Sequence, residues 1–239
     1  MVYVYLPPIR KRGIQMHETH DPMTGVLRRE VLRRKLEEMF ARSSEEDSLI
    51  SLAFLDLDNF KAFNDEQGHE MGDELIKTFA SILEKNCRSQ DLLGRYGGEE
   101  FLVVMPDTQP EDALLLMEDV RRQVSSSTFT LRCGDREMRH SFTFSGGIAA
   151  FPRDGQEPSE VVRAADSALY NAKMYGRDRL LLAVKSKMVL KSSYYPGPQL
   201  QKLADLAAKT QKSEAFLLRE ALDDLLARYS ERRVSPENL

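Results

Sequence analysis

With 239 residues, 41% of them hydrophobic and 30% charged, the chain can bury one well-packed domain and a small second one, and it lacks the composition of a disordered protein. A net charge of −4 excludes a surface that coats nucleic acid throughout, and no apolar run approaches the ~20 residues a membrane helix needs. Pro7, Pro8 and the basic Arg10, Lys11 and Arg12 break any signal peptide, while two cysteines and four unclustered histidines give neither a disulfide framework nor a zinc spacing, so a cytoplasmic protein with no membrane contact is expected.

Residues 1–19 read as a lead-in. A helix is predicted over about 28–41, with Val31, Leu32, Leu36 and Phe40 on one side, followed by a polar turn at 43–47. Residues 49–55, apolar but for Ser51, then read as a buried strand, which ends abruptly at Asp56, Leu57 and Asp58. A long helical stretch follows through Ile76, Phe79, Ile82 and Leu83. Two strand-like runs, 92–96 and 101–105, flank Gly97, Gly98, Glu99 and Glu100, and Gly-Gly between such runs signals a hairpin whose turn needs positive φ. A helix over 110–124, a strand pair made of 128–132 and 140–149, a helix over 158–174 and a short strand at 179–184 complete the series. Strands and helices alternate with hairpins between, so the expected fold is α/β (α+β), with a mixed, largely antiparallel central sheet, flanking helices and a palm-like, nucleotidyl-cyclase-like arrangement.

The character changes after Val184. Residues 185–239 hold 10 Lys+Arg against 7 Asp+Glu, or +3, which leaves 24 against 31, or −7, for residues 1–184. A polar segment leads to two short amphipathic helices, one carrying Leu200, Leu203, Leu206 and Ala207, the other Leu218, Leu222, Leu225 and Tyr229, with Ser213 placed to cap the second. The division expected is therefore 1–19, 20–184 and 185–239.

Carboxylates at the end of an apolar strand need compensation. Asp56 and Asp58 leave such a strand, and Glu99 and Glu100 occupy a turn that can lie beside it. That oxygen-rich set suits a hard divalent cation, and phosphoryl transfer uses such cations to neutralise phosphates and sharpen an attacking hydroxyl. Either pair alone is more often a solvated strand end; both together in one chain are not well explained that way.

The run Gly97, Gly98, Glu99, Glu100, Phe101 resembles the signature of GGDEF-domain diguanylate cyclases in its GGEEF spelling. The resemblance extends, in order, over Asp21 to Gly25 (D-x-L-T-G, with Met23 for Leu), Asp56 to Asp65 (D-x-D-x-F-K-x-x-N-D), Gly68 to Asp73 (G-H-x-x-G-D), Thr143 to Ala149 and Ala165 to Arg177, so it covers about residues 20–184. It implies a metal-dependent enzyme that condenses two GTP into cyclic di-GMP and releases pyrophosphate, acting as a homodimer with one GTP per subunit. By the same resemblance Asp56, the Leu57 carbonyl, Glu99 and Glu100 would hold Mg2+ or Mn2+. Glu100, Glu99, Lys173 and Arg177 would be the catalytic groups. The backbone at Asn59, Phe60 and Lys61 would cradle phosphate, Gly97 and Gly98 would let the nucleotide approach, and Asn64 and Asp73 would read guanine. A carboxylate at Asp73 suits guanine independently, since it can accept from both N1–H and N2–H. Arg88 and Asp91 match the family's R-x-x-D site for inhibitory cyclic di-GMP, although Asp119 stands where some members carry a further arginine.

Residues 187–229 resemble, in pattern, a ribbon-helix-helix module, which implies an intertwined dimer and possible DNA contacts from Lys187, Lys191, Ser192 and Tyr194. The alternative to an active cyclase is a catalytically weak nucleotide receptor that controls a DNA-binding tail.

Overall fold

The computed structural model describes residues 19–43, 49–184 and 195–210, together with single helical positions 214, 217, 218, 221, 222 and 225. The chain divides into two compact units, Met1–Ser186 and Lys187–Leu239.

In the first unit the elements are β1 (Leu27–Arg28), α1 (Arg29–Ser43), β2 (Ile50–Leu57), α2 (Phe60–Gln67), α3 (His69–Asn86), β3 (Leu92–Arg95), β4 (Glu100–Pro106), α4 (Pro110–Ser125), β5 (Phe129–Cys133), β6 (Arg136–His140), β7 (Phe144–Phe151), α5 (Pro158–Met174) and β8 (Leu180–Leu182). Six strands form one sheet in the order β1-β3-β4-β2-β7-β8. The pairs β3–β4, β4–β2 and β2–β7 are antiparallel, and the outer pairs β1–β3 and β7–β8 are parallel. The mixed, largely antiparallel sheet with flanking helices is the fold expected.

The apolar run of β2 lies at the centre of the sheet, paired on both sides and buried at every position. Strand alternation splits its side chains between two cores. Ala53, Leu55 and Leu57, with Phe101 and Val103 of β4, pack against Phe60, Phe79 and Met117 from α2, α3 and α4. Ile50, Leu52 and Phe54, with Leu102 and Val104, pack against Leu32 and Leu36 of α1 and Ala165 and Leu169 of α5. Phe79 anchors the first core, with ring centroids 4.9 Å from Phe144 and 5.3 Å from Phe101. Truncating so enclosed a ring costs about 3–5 kcal/mol. In the second core, α5 comes down directly onto β7, where a Cβ at Gly147 would fall on the Ala165 carbonyl. Helix α5 starts where Pro158 sets φ and the Glu160 carboxylate accepts from the Gln156 and Glu157 amides, at 2.8 and 3.3 Å.

Two local expectations are corrected. The single helical stretch after β2 is two helices, because Gly68 at φ 90° turns the chain between α2 and α3. The segment 128–132 pairs not with 140–149 but with β6, in a two-stranded ribbon turned at Gly134 (φ 56°), while β7 joins the main sheet. Arg136–His140 alternates too weakly in polarity to read as a strand before its partner is known.

In the second unit, α6 (Gly197–Thr210) coincides with the first expected tail helix. The expected ribbon at 187–194 and most of the second tail helix lie outside the described residues. No described helix is long and apolar enough to cross a membrane.

Candidate active site

Cross-strand register brings the acidic groups together. Asp56 lies opposite Glu100 on one side and Ser145 on the other, and alternation turns both carboxylates toward the face covered by α1 and α5. From α5, Lys173 Nζ reaches Asp56 Oδ2 at 2.8 Å. The other carboxylate oxygen, Asp56 Oδ1, is buried with no hydrogen-bond partner. Burial raises the Asp56 pKa to about 6; the Lys173 ammonium opposes that rise, and Glu99 and Glu100 add to it. Burial also pushes Glu100 above the usual carboxylate range, with Asp166 and Glu99 adding and Lys173 and Arg29 opposing. A buried acceptor without a donor, inside a patch of like charge, suits an oxygen-coordinated cation. Among the described residues no three carboxylate, imidazole or thiol side chains close into a ligand cluster. A cation here would therefore draw on backbone oxygen and on the substrate as well.

The glycines of the signature do not act as expected. Neither Gly97 nor Gly98 has positive φ. The turn is closed by the Tyr96 and Gly97 amides donating to the Glu100 carbonyl at 2.8 and 3.3 Å. A Cβ at Gly97 would fall on the Glu100 carboxylate, whereas one at Gly98 would meet nothing within 4 Å. Gly97 thus makes room for a catalytic candidate, and Gly98 leaves the rim open.

Where β2 ends, Asn59 adopts a left-handed conformation (φ 58°) and starts α2 with no side-chain cap, so the first amides of the helix are free to face an anion. Phe60 itself belongs to the core, which leaves its main chain to contribute, and Lys61 is exposed. Asn64, on α2, packs where Gly72 of α3 has no side chain: a Cβ at Gly72 would strike its amide oxygen. That oxygen, Oδ1, is buried and unpartnered. Asp73 follows Gly72 and is half-buried.

Asp58 takes no part in this unsatisfied group. It accepts from Thr143 Oγ1 at 2.8 Å, Ser145 Oγ at 2.7 Å and the Asp178 amide at 3.0 Å. Its carboxylate ties the strand end to β7 and to the turn after α5. That turn carries Arg177 and holds three successive positive φ angles, 108° at Gly176, 62° at Arg177 and 46° at Asp178. For the two non-glycine residues such a conformation costs about 1–3 kcal/mol each and persists only where the surroundings enforce it.

Arg88 and Asp91 form a closed turn. Arg88 Nη2 lies 2.8 Å from Asp91 Oδ1, Nε donates to the same carboxylate, and Nη2 also donates to Thr108 Oγ1 at 2.7 Å. On α4, Asp119 and Arg122 are largely exposed, and Arg121 is held by Glu118 and Asp178.

Sequence reasoning missed Arg95, which donates from Nε and Nη2 to the Gly98 carbonyl at 2.9 and 2.6 Å and from Nη1 to Asp21 at 3.2 Å. It forms part of a cleft of about 350 Å3 with Asp21, Arg28, Arg29 and Gly97, beside the signature turn. Its place two residues before the glycines was the available signal.

Residues 18–179 match the family model described as the diguanylate cyclase GGDEF domain. The chain belongs to that family. It is 40% identical over 161 residues to the response regulator PleD of Caulobacter vibrioides, a match that covers 67% of this chain and 35% of PleD. It is 42% identical over 164 residues to the diguanylate cyclase DgcP of Pseudomonas aeruginosa, covering 68% of this chain and 24% of DgcP. The GGDEF-domain match thus spans about a third or less of each of these longer relatives. Among solved structures, the GGDEF domain of DgcB from Caulobacter crescentus in complex with c-di-GMP superposes with a TM-score of 0.65 at 32% identity, covering 74% of this chain and 99% of that one. The active GGEEF domain of a Vibrio cholerae diguanylate cyclase gives 0.60 at 29% identity, covering 66% and 98%.

Proposed function

We propose that this GGDEF domain condenses two GTP molecules into cyclic di-GMP. The buried, unpartnered Asp56 oxygen beside Glu100 carries the reading, because an acceptor without a donor in a patch of like charge suits the oxygen-coordinated cation that phosphoryl transfer uses. Asp56, Glu99 and the Leu57 carbonyl would hold Mg2+ or Mn2+, with Glu100 alongside. Such a cation neutralises phosphate charge and acidifies a nearby hydroxyl.

The protein groups do the remainder. Glu100 takes the proton of the ribose 3′-hydroxyl, and the 3′-oxygen forms a bond to the α-phosphorus of the opposing GTP as the bond to pyrophosphate breaks. A second, reciprocal transfer closes the ring. The amides at Asn59, Phe60 and Lys61 receive the phosphates, and Lys61, Lys173 and Arg177 add positive charge. Asn64 Oδ1 and the Asp73 carboxylate accept from the guanine edge; the unpartnered state of the former supports that assignment.

Each site takes one GTP, so two chains must meet. The second unit is proposed to favour that homodimer by raising the effective concentration of the encounter. Exposed Leu200, Leu218, Leu222 and Leu225 support it, since leucines at such spacing on a short helical unit ordinarily seek a partner. Product inhibition at Arg88 and Asp91 is proposed on the likeness to the cyclic di-GMP-bound DgcB domain, and it requires Arg88 to exchange part of its pairing with Asp91 and Thr108 for the ligand.

Incubating the full chain with GTP and Mg2+ or Mn2+ should yield cyclic di-GMP and pyrophosphate by chromatography. Intact GTP, with cyclic di-GMP still bound, would replace the cyclase with a receptor.

A further inference from the structure

The turn that presents Arg177 is held in its left-handed course by a chain of contacts reaching outside the signature motifs. Within the turn, the Arg177 amide donates to the Ala172 carbonyl at 3.1 Å, and Arg179 Nε donates to the Arg177 carbonyl at 2.9 Å. Beyond it, Asp178 is gripped twice. Its amide donates to Asp58 Oδ2 at 3.0 Å, and its carboxylate oxygen Oδ1 accepts from Arg121 Nη1 at 2.7 Å. Arg121 is fixed in turn by Glu118 one helical turn earlier, at 2.9 Å from Nε, and its side chain is only 17% exposed. Asp58 is oriented by the Thr143 and Ser145 hydroxyls.

We propose that Arg121, acting through Asp178, is a positioning residue for Arg177: the ion pair latches the turn after α5 to α4, so that the Arg177 side chain is presented to the substrate phosphates in one orientation. The inference rests on the reading of Arg177 as a phosphate-facing cation.

Three observations converge on it. Two consecutive non-glycine residues at positive φ do not hold that course unaided, so something outside the turn must enforce it. Both groups that grip Asp178 are themselves fixed: Arg121 lies on α4, which packs against the sheet, and Asp58, in the turn directly after β2, is held by the Thr143 and Ser145 hydroxyls. Arg121 also meets two carboxylates from different directions, a geometry a planar fork of donors satisfies and a single ammonium does not.

The test uses steady-state kinetics of the full chain with GTP. Asp178→Asn keeps a residue type that tolerates the left-handed region while removing the charge Arg121 pairs with. Arg121→Gln removes the partner, and Arg121→Lys restores charge without the fork. Asp178→Asn and Arg121→Gln should each lower kcat/KM by roughly 10-fold, short of the ~100-fold that a gross misplacement of a reacting group produces. Arg121→Lys should recover part of the loss. In an Arg177→Ala background neither change should lower activity further, because the group being positioned is gone. If Arg177→Ala impairs turnover while Asp178→Asn and Arg121→Gln match wild type, the latch is wrong and the Arg177 assignment stands. Losses that add fully to that of Arg177→Ala would show that the pair acts elsewhere and overturn the latch. An Arg177→Ala variant with wild-type kinetics would remove the underlying reading and the latch together.

Discussion

Two carboxylates, Asp56 and Asp58, leave the same buried strand two residues apart and meet opposite surroundings. Asp58 is satisfied by two hydroxyls and a backbone amide, all from this chain. Asp56 has one oxygen on Lys173 and no hydrogen-bond partner for the other, and burial, with like charge from Glu99 and Glu100 adding to it, raises its pKa to about 6. The difference separates groups that hold the fold from groups that await something. It also recurs elsewhere. Asn64 Oδ1, between α2 and α3, is a second buried acceptor without a donor, while Asp21, like Asp58, takes its donors from this chain, all three on Oδ2. Among the described residues the third such atom, Arg153 Nη2, belongs to an arginine already paired with Asp154 and Glu111, so it is a surplus donor rather than a site.

The largest effect should come at Asp56 and its neighbours. Asp56→Asn, Glu99→Ala and Glu100→Ala are each expected to cut cyclic di-GMP formation by about 100-fold or more, since each removes charge that the metal-assisted transfer requires. Asp56→Asn should nevertheless melt no lower than wild type in the presence of a chelator, because a buried, repelled carboxylate contributes no stability of its own. Turnover near wild type in these variants, or a large fall in melting temperature for Asp56→Asn, would erase the distinction between the two aspartates.

A smaller effect is expected in the base pocket. Asp73→Ser and Asn64→Leu should each reduce the preference for GTP over ATP by roughly 10-fold or more, because a site built to accept from a base rejects the wrong edge chiefly through acceptors left unpaired. Competition binding with the two nucleotides decides it, and unchanged discrimination would place base reading elsewhere.

Asp58→Asn should reverse the pattern seen at Asp56. It weakens three hydrogen bonds to a carboxylate, which together make it costlier than a single neutral bond, so a loss of about 2 kcal/mol in urea unfolding is expected. Product formation should persist within about an order of magnitude, limited by the loosened turn at Arg177. Abolished turnover with unchanged stability would make Asp58 a metal ligand after all.

The sequence carried most of the fold because its buried elements have strong periods. The run at 49–55, apolar but for Ser51, reads as a buried strand, and the spacing of Val31, Leu32, Leu36 and Phe40 reads as a helix with one covered face. The candidate site residues were all named by motifs, and strand register sets two of them, Asp56 and Glu100, side by side. What the residues alone did not separate was Asp56 from Asp58, since identical side chains two apart on a strand differ only in what β7 and α5 bring to them. The same holds for Arg95, Thr108 and Arg121, whose partners lie 74, 20 and 57 residues away. The signature glycines were misread for a related reason: turn chemistry predicted positive φ, whereas the space above Gly97 is taken by Glu100, and no local rule anticipates that packing.

The smallest effect concerns Asp21, whose Oδ2 gathers three donors at the N-terminal edge of the domain. It accepts from the Thr24 amide at 3.1 Å, from Thr24 Oγ1 at 2.7 Å and from Arg95 Nη1 at 3.2 Å. Partial burial works against its charge, but the Thr24 hydroxyl and the Arg95 guanidinium outweigh that and hold its pKa below the ordinary 3.8. A carboxylate with a depressed folded pKa contributes stability that is fully present above its unfolded value and is lost as pH falls through the folded one. The relevant window therefore lies below about pH 4. Asp21→Asn keeps one acceptor and loses the charge, and since the group is partly solvated the cost should be only about 1 kcal/mol. Urea midpoints of wild type and variant should differ at pH 6 and converge as pH falls through the folded-state value, below which the wild-type carboxylate is protonated as well. A gap that stays constant with pH would mean that Asp21 acts through shape alone, and one that widens in acid would show that its pKa is raised rather than lowered. Because Arg95 joins Asp21 to the Gly98 carbonyl, the same variant should also slow product formation slightly, by less than about 3-fold, as the signature turn loses one of its two anchors.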